Sequence, residues 1–440
     1  MQKEITLTVS KQLIINQSGK TFTRSDLAKA VAYWRHIIDG INDPRPIAIC
    51  FGSGSTTFQT VAVLLAIIDS GRNYYKFDQL APGAKLETIK YPKIEGGVSV
   101  TFIAGKVQAE FDYSVDPDIF EVESDENLAR SLANDQAHDL TITFKFSQKR
   151  YNNTSGTTSG YPKLIEASVG SDGYSVKAAM DSYIKDNDHC AFLHNMSHVG
   201  VHTTAILPSI FKAKEVTFVS SDNLDEWSAA TRVATHTQYF YTMLDWYKLP
   251  SNTTIRTIST GGDYLKPRMI EELLKNTAVE KIVDIYGLTE AAPPLAIREV
   301  ADFDDLSKPF MWINSAYKCY LDENDTAVVI RPDGVHWKSN DLAKWNECSK
   351  EFHYVGRYGA TNKIRMLGLL FNGTEFRQSL EDKTGIVNYF LDLSNSTMPK
   401  LIITDADRGL VEQFIKDVDA VVELSVVETL STNGGIKNIS

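Results

Sequence analysis

A chain of 440 residues, 43% of them apolar, is long enough to bury a large core and to divide into more than one domain. Its 56 acidic and 45 basic residues give a net charge of -11 and are interspersed, so no basic stripe marks a surface for nucleic acid or an anionic membrane. Cys50, Cys190, Cys319 and Cys348 lie far apart, with no Cys-x-x-Cys pair and no clustered histidines, which argues against a zinc motif and reads as reduced thiols.

The N-terminal "MQKEITLTVS" alternates polar and apolar residues, predicting a first strand and not a signal peptide. A second strand, "KQLIIN", precedes the helix "SDLAKAVAYWRHIIDGI", for which Ser25 is the expected N-terminal cap. Then come the strand "PIAICFG" and the helix "TTFQTVAVLLAIIDSG", whose apolar run Val61 to Ile68 is too short to cross a bilayer. The expectation is a protein of the cytoplasm with no stable membrane insertion. The alternation continues through "HCAFLHN", the helix-like "VGVHTTAILPSIFKA", the strand "EVTFVS", a predicted helix "DEWSAATRVATH", the strand "RTISTGG", the helix "PRMIEELLKN" and the strand "KIVDIYG". Apolar strands alternating with helices over roughly residues 40 to 290 predict an α/β fold of mixed, mostly parallel sheets covered by helices.

Past residue 310 the pattern changes. "YKCYLDENDTAVVIRPDGVHWKSNDLAKW" reads as antiparallel hairpins with turns at "DEND" and "PDG", a β-rich subdomain. From Gly356 onward short strands and helices predict a small α+β domain, giving two units, 1–355 and 356–440.

In open α/β sheets ligands bind beyond the carboxyl ends of strands. The segments expected there are "TSGTTSGYPK" at 154–163, "HNMSHVG" at 194–200, "STGGDYL" at 259–265, "DIYGLTE" at 284–290 and, later, "WKSNDL" at 337–342. Small hydroxyl residues and glycines before Lys163 suit a nest for phosphate oxygens, although such composition also describes an ordinary flexible loop. Taken singly, Glu290 reads equally as a helix-start acid, Tyr286 as a core aromatic, Asp341 as a turn former and Gly261-Gly262 as a turn.

Taken together and in order, these segments resemble the motifs of the adenylate-forming superfamily of acyl-CoA synthetases, nonribosomal adenylation domains and luciferases. "TSGTTSGYPK" resembles its Ser/Thr/Gly phosphate loop, "YGLTE" its Tyr-Gly-x-Thr-Glu motif, and "WKSNDL" its aromatic-x-Thr-Gly-Asp motif. "GRYGATNKIRMLGLLFNGTEF" resembles its hinge and the strand after it, and "STNGGIKNIS" its C-terminal lysine segment. The resemblance implies an N-terminal adenylation domain, 1–355, and a mobile C-terminal domain, 356–440, joined by a hinge near Arg357 to Gly359.

It also implies roles. Thr154, Ser155, Gly156, Thr157, Thr158 and Lys163 would hold the outer phosphates of ATP, Thr289 would touch the α-phosphate, and Glu290 would hold Mg²⁺. Tyr286 would stack on adenine beside Gly287, Gly261, Gly262 and Asp263 would line the purine pocket, and Asp284 occupies the place of an adenine-reading residue. Asp341 and Arg357 would bind the ribose, and His198 would stand between the acid and the nucleotide.

The chain departs from the pattern in several places. The phosphate loop is one residue longer, and Asn340 replaces a glycine. The hinge position reads Gly359, and Lys363 or Arg365 falls near the family's next lysine. Gly435 falls where the catalytic lysine is expected, with Lys437 two residues on. The expected reaction is ATP-dependent activation of a carboxylic acid to an acyl-adenylate, with release of pyrophosphate. Transfer to the thiol of coenzyme A, or to the phosphopantetheine of an acyl or aryl carrier protein, would follow. "LHNMSHVGVH" carries no acidic partner for an α-ammonium group, which favours an aryl or acyl acid over an amino acid. The alternative, motivated by Gly435, is a protein that binds the nucleotide or the acyl-adenylate without turning it over.

Overall fold

The structure is a computed structural model that describes residues 4–42, 46–51, 56–78, 100–103, 118–121, 125–134, 140–153, 164–192, 199–219, 227, 229–235, 254–262, 265, 267–357, 363–366, 369–386, 389–392, 400–417, 420 and 422–427. Two large sheets carry most of it. One has six strands in the order Leu164–Ser168, Lys149–Asn153, Tyr74–Asp78, Ile47–Phe51, Val100–Ile103, Asp118–Glu121, all parallel except the Leu164–Ser168 edge. The other has thirteen, and its middle run is parallel: Lys281–Tyr286, Thr257–Gly261, Arg232–Ala234, His189–Phe192, Glu215–Phe218 and Ile14–Gln17. Beyond Lys281–Tyr286 the same sheet turns antiparallel through Ala296–Val300, Phe310–Trp312, Glu351–Arg357, His336–Asn346, Thr326–Ile330 and Lys318–Leu321. The α/β class with mixed, mostly parallel sheets and a β-rich part is therefore as the sequence predicts.

Helices fill the space between and around these sheets. The Arg24–Gly40 helix is capped by Thr23, not Ser25: Thr23 Oγ1 accepts from the Asp26 N–H at 3.2 Å while Asp26 Oδ2 accepts from the Thr23 N–H at 2.8 Å. That reciprocal pair needs an acid three residues after the cap, which Thr23 has. The Phe58–Ser70 helix is buried on every side from Phe58 to Ile68, so "VAVLLAII" is a core helix. Among the described residues no helix is long and apolar enough to cross a membrane. "DEWSAATRVATH" departs from expectation, because Arg232–Ala234 is a strand laid between His189–Phe192 and Thr257–Gly261. Its Arg232 is buried, donating through Nε to Asp188 at 2.9 Å and through Nη1 to Ser259 Oγ at 2.8 Å, so neighbours on both sides override local helix propensity.

The hairpins after residue 310 form as predicted, with Asp325 and Gly334 at positive φ in the two turns. In the C-terminal part, Phe390–Asp392, Lys400–Thr404 and Glu423–Val427 form their own three-stranded sheet against the Gly373–Thr384 and Arg408–Asp417 helices. Its apolar cluster is drawn from residues 376 to 426 only.

A buried ion pair fixes the strand that enters the 154–163 loop. Arg150 and Asp172, both fully buried, meet in a bidentate contact of 2.7 Å and 2.9 Å, and Arg150 also donates to Asn152 Oδ1. Burial disfavours the guanidinium charge, but the Asp172 carboxylate outweighs it and keeps Arg150 protonated. Removing one partner leaves the other charge buried alone. Arg150→Met and Asp172→Asn should each lower unfolding free energy by ~3–5 kcal/mol, and the Arg150→Met/Asp172→Leu double variant should lose less than the sum, as read by denaturant unfolding.

Candidate active site

The strand Lys281–Tyr286 ends beside the end of Thr257–Gly261, its parallel neighbour, with Gly261 opposite Ile285. A Cβ on Gly261 would stand 2.4 Å from the Ile285 carbonyl oxygen, so only glycine allows this approach. Gly262 follows at φ +92 and turns the chain away, and Asp263 lies outside the described residues.

Tyr286 closes the strand. Its ring packs on Phe352 with centroids 4.5 Å apart, and its hydroxyl donates to Asp341 Oδ2 at 2.8 Å. Burial, and then the Asp341 charge, raise the Tyr286 hydroxyl well above its ordinary pKa, so it remains a donor. Asp341 is itself buried, and its backbone N–H donates to Ser339 Oγ at 3.0 Å. Across the ladder Asp341 stands opposite Arg357, so the two residues assigned to the ribose share one register position.

Asp284, two residues before Tyr286 on the same strand face, is buried and accepts from Arg298 Nη2 at 2.7 Å. Arg298 in turn lies over the Phe310 ring at 4.6 Å. Burial pushes the Asp284 carboxyl up to about 6, with the Arg298 guanidinium working against that rise.

After Tyr286 the chain reverses through Gly287, the short turn Thr289–Ala291 and the Ala292–Pro294 segment into Ala296–Val300. Three side chains from distant segments hold that segment's carbonyls. Ser175 donates to Ala292 O, Thr203 to Pro293 O, and Asn314 Nδ2 to Pro294 O at 3.1 Å. Pro293 leans over Gly287, where a Cβ would stand 2.3 Å from its own, and towards Gly200. Thr203 sits in a π-helical turn, His202–Ile206, of the kind found where helices carry functional sites. "AAPPL" is thus a fixed wall, but nothing local in the sequence marks Ser175, Thr203 or Asn314 as its supports.

Thr289 and Glu290 lie in the turn between this wall and Tyr286. Among the described residues no three His, Cys, Asp or Glu gather in a metal cluster. One carboxylate such as Glu290 still fits Mg²⁺, which takes one or two carboxylates with substrate phosphates and keeps its waters. Thr154, Ser155, Gly156, Thr157, Thr158, Lys163, His198 and Lys437 lie outside the described residues, as do Gly359 and Gly435. Arg357 is described in its backbone, as the last residue of its strand. What is seen of the 154–163 loop is its frame: the flanking strands pair antiparallel from Asn153↔Leu164 to Lys149↔Ser168.

Residues 151–324 match the AMP-binding enzyme family, a span that holds the 154–163 loop, Gly261 to Asp263 and Asp284 to Glu290. Among solved structures, o-succinylbenzoate CoA synthetase (MenE) from Bacillus subtilis, solved with its acyl-adenylate intermediate OSB-AMP, has a TM-score of 0.67 at 14% identity, over 96% of this chain and 93% of that one. ATP-bound MatB from Rhodopseudomonas palustris gives 0.70 at 14% identity, over 96% and 93%. The anthranilate CoA ligase AuaEII with anthranoyl-AMP gives 0.69 at 11% identity, over 97% and 92%. No curated protein matches the sequence. The chain shares the fold of these enzymes over 96% to 97% of its length. An AMP-binding segment at 151–324 lies within that fold, in the stretch where the segments from "TSGTTSGYPK" to "DIYGLTE" are found.

Two outcomes follow from this geometry. Gly287→Ala should cost ~1–3 kcal/mol of stability, since the methyl must displace the fixed Pro293, and thermal unfolding would show it. The Asp284 carboxyl has a folded-state pKa above its unfolded one, so its ionisation opposes folding as pH rises through about 6. Relative to Asp284→Asn, the wild type should therefore lose roughly 1–3 kcal/mol between about pH 4 and about pH 7, measured by denaturant unfolding across that range.

Proposed function

We propose that this protein activates a carboxylic acid with ATP and transfers the acyl group to a thiol, that of coenzyme A or of a carrier protein's phosphopantetheine. The observation that carries this reading is the joining of Tyr286 to Asp341 by a 2.8 Å hydrogen bond at the end of the strand that leads into Thr289 and Glu290. It gathers an aromatic ring, a buried carboxylate and the Thr-Glu turn at one sheet edge.

The substrate carboxylate attacks the α-phosphorus, the bond from that phosphorus to the bridging oxygen breaks, and pyrophosphate leaves. In the second half the thiol sulfur attacks the acyl carbon, AMP leaves, and the thiol proton passes to solvent. Two anions must meet in the first half, so the site has to neutralise charge and hold the groups in line. Glu290 would hold Mg²⁺, which supplies charge neutralisation to the phosphates when bound.

Thr289 would touch the α-phosphate, and Thr154, Ser155, Gly156, Thr157, Thr158 and Lys163 the outer ones. Tyr286 and Gly287 would pack on adenine, with Gly261, Gly262, Asp263 and Asp284 around it, and Asp341 with Arg357 would take the ribose. His198 would stand at the join of acid and nucleotide, and Lys437 would reach the reacting carboxylate in place of Gly435.

An aryl or acyl acid is the substrate class we favour, given the lack of an acidic residue in "LHNMSHVGVH". Structures of the same fold are CoA synthetases or ligases by name, and MenE from Bacillus subtilis has been solved with ATP and magnesium ion. The division at 355/356, with a C-terminal unit that rotates between the two halves, belongs to the same proposal, as does a location in the cytoplasm, where ATP and coenzyme A are at hand.

Carboxylate-dependent ATP–pyrophosphate exchange across aryl, acyl and amino acids tests it. One acid class should support exchange, and Glu290→Ala and Lys437→Ala should each lower it by roughly 10²-fold or more. No exchange with any acid, from a protein that binds Mg·ATP, would instead favour a nucleotide-binding protein without turnover.

A further inference from the structure

Arg331 joins two parts of the site that are far apart in sequence. Its Nη1 donates to the Glu166 carbonyl at 3.1 Å and to the Glu290 carbonyl at 3.2 Å. Glu166 is the middle residue of Leu164–Ser168, the strand that leaves the 154–163 loop, and Glu290 is the middle residue of the Thr289–Ala291 turn. One nitrogen therefore sets how far the loop's exit strand can stand from the turn.

The guanidinium is itself fixed. Arg331 is 6% exposed, and Asp333 takes its other face, accepting from Nε at 3.1 Å and from Nη2. Burial opposes the charge on Asp333, but Arg331 outweighs it and holds the carboxyl below its usual range. Pro332 and Gly334, at φ +84, form the turn that lets Asp333 fold back on Arg331 two residues earlier. A planar fork with several donors can hold Asp333 and both carbonyls at once, which a lysine's point charge cannot.

We infer that Arg331, oriented by Asp333, is a positioning residue that sets the distance between the strand Leu164–Ser168, which leaves the proposed phosphate-binding loop, and the turn that carries Glu290, the proposed metal ligand. The inference rests on the proposed ATP chemistry. A brace of this kind matters only to a ligand that touches both parts. ATP with its metal does, through its outer phosphates, whereas AMP has no outer phosphates to reach the loop. Adenine and ribose would rely instead on Tyr286 and Asp341, which are joined to one another.

Calorimetric titration of the full chain with AMP and, separately, with Mg·ATP tests this without turnover. Arg331→Lys should raise the dissociation constant for Mg·ATP about tenfold, as expected for loss of a charge-assisted hydrogen bond, and leave that for AMP within about twofold. Asp333→Asn, which keeps the arginine but loosens its hold, should act in the same direction and serves if Arg331→Lys does not fold. Parallel weakening of AMP and Mg·ATP, or no change in either alongside a lower melting temperature, would overturn the inference and leave Arg331 a structural brace. A wild-type protein that binds neither ligand would overturn the ATP reading itself, a result that no Arg331 variant could produce.

Discussion

The strand Lys281–Tyr286 has unlike neighbours, and the site depends on that difference. Its parallel pairing with Thr257–Gly261 sends two carboxyl ends to one edge of the sheet, which puts Gly261 and Gly262 beside Tyr286. Its antiparallel pairing with Ala296–Val300 forces the chain to reverse at once, so the return from Gly287 to Leu295 must sit at that same edge. Thr289, Glu290 and the Ala292–Pro294 wall all lie in the return. A sheet that stayed parallel would have carried the chain away into a crossover helix, leaving no such turn there. The antiparallel half also brings Asp341, with Arg357 opposite it in the ladder, to the strand end, where its carboxylate accepts from the Tyr286 hydroxyl.

Around this edge the protein uses arginine–aspartate pairs as ties. Arg150–Asp172 holds the strand entering the 154–163 loop, Arg331–Asp333 the strand leaving it, Arg298–Asp284 the strand under Tyr286, and Arg232–Asp188 the strand two places further in. Ion pairs taken out of water add little to stability, and apolar replacements of like volume often do better. What each guanidinium adds is a further bond in a set direction: to Asn152, to two main-chain carbonyls, to Leu306 O, and to Ser259 with Tyr183 O. The pairs therefore fix distances between elements more than they strengthen the fold. Fixed distances are what a reaction between two anions asks of its site.

Much of this could be read in the sequence, and the reason differs by element. Parallel strands buried on both faces are apolar runs, so Ile47–Phe51, His189–Phe192, Thr257–Gly261 and Lys281–Tyr286 stood out. Turn chemistry marked the hairpins, and the motif residues Tyr286 and Glu290 fell at a strand end and in the turn beyond it, whereas "WKSNDL" lies inside the strand His336–Asn346, with Asp341 at its middle, and not beyond a strand end as expected. Arg232–Ala234 did not stand out, because it is three residues long, begins with a charge, and is a strand only by virtue of two neighbours. Ser25 and Thr23 are both sound caps, and the choice lay in the position of Asp26. The supports of the site were hidden for a different reason. Arg331, Ser175, Thr203 and Asn314 act on main-chain carbonyls, which carry no residue-specific mark, and each reaches a segment far from it in sequence.

The two halves of the nucleotide would meet different kinds of site. Adenine and ribose are joined by one glycosidic bond and keep a nearly constant separation, and the residues proposed for them are locked to one another, Tyr286 to Asp341 by a hydrogen bond and Tyr286 to Phe352 by ring packing. Burial and the Asp341 charge raise the Tyr286 hydroxyl well above its ordinary pKa, so it stays a donor in that lock. The phosphate chain is flexible, with a torsion at every bridging oxygen, and it must be straightened against its own charge before attack. Rigid recognition of the nucleoside would set where the α-phosphorus lies. Placing the outer phosphates would then fall to the loop and to Glu290, and Arg331 joins the strand that leaves the loop to the Glu290 turn by binding a carbonyl of each. On the proposed chemistry the nucleoside end would supply location and the phosphate end alignment, with the Arg331 guanidinium as the link between the two elements that serve the phosphates.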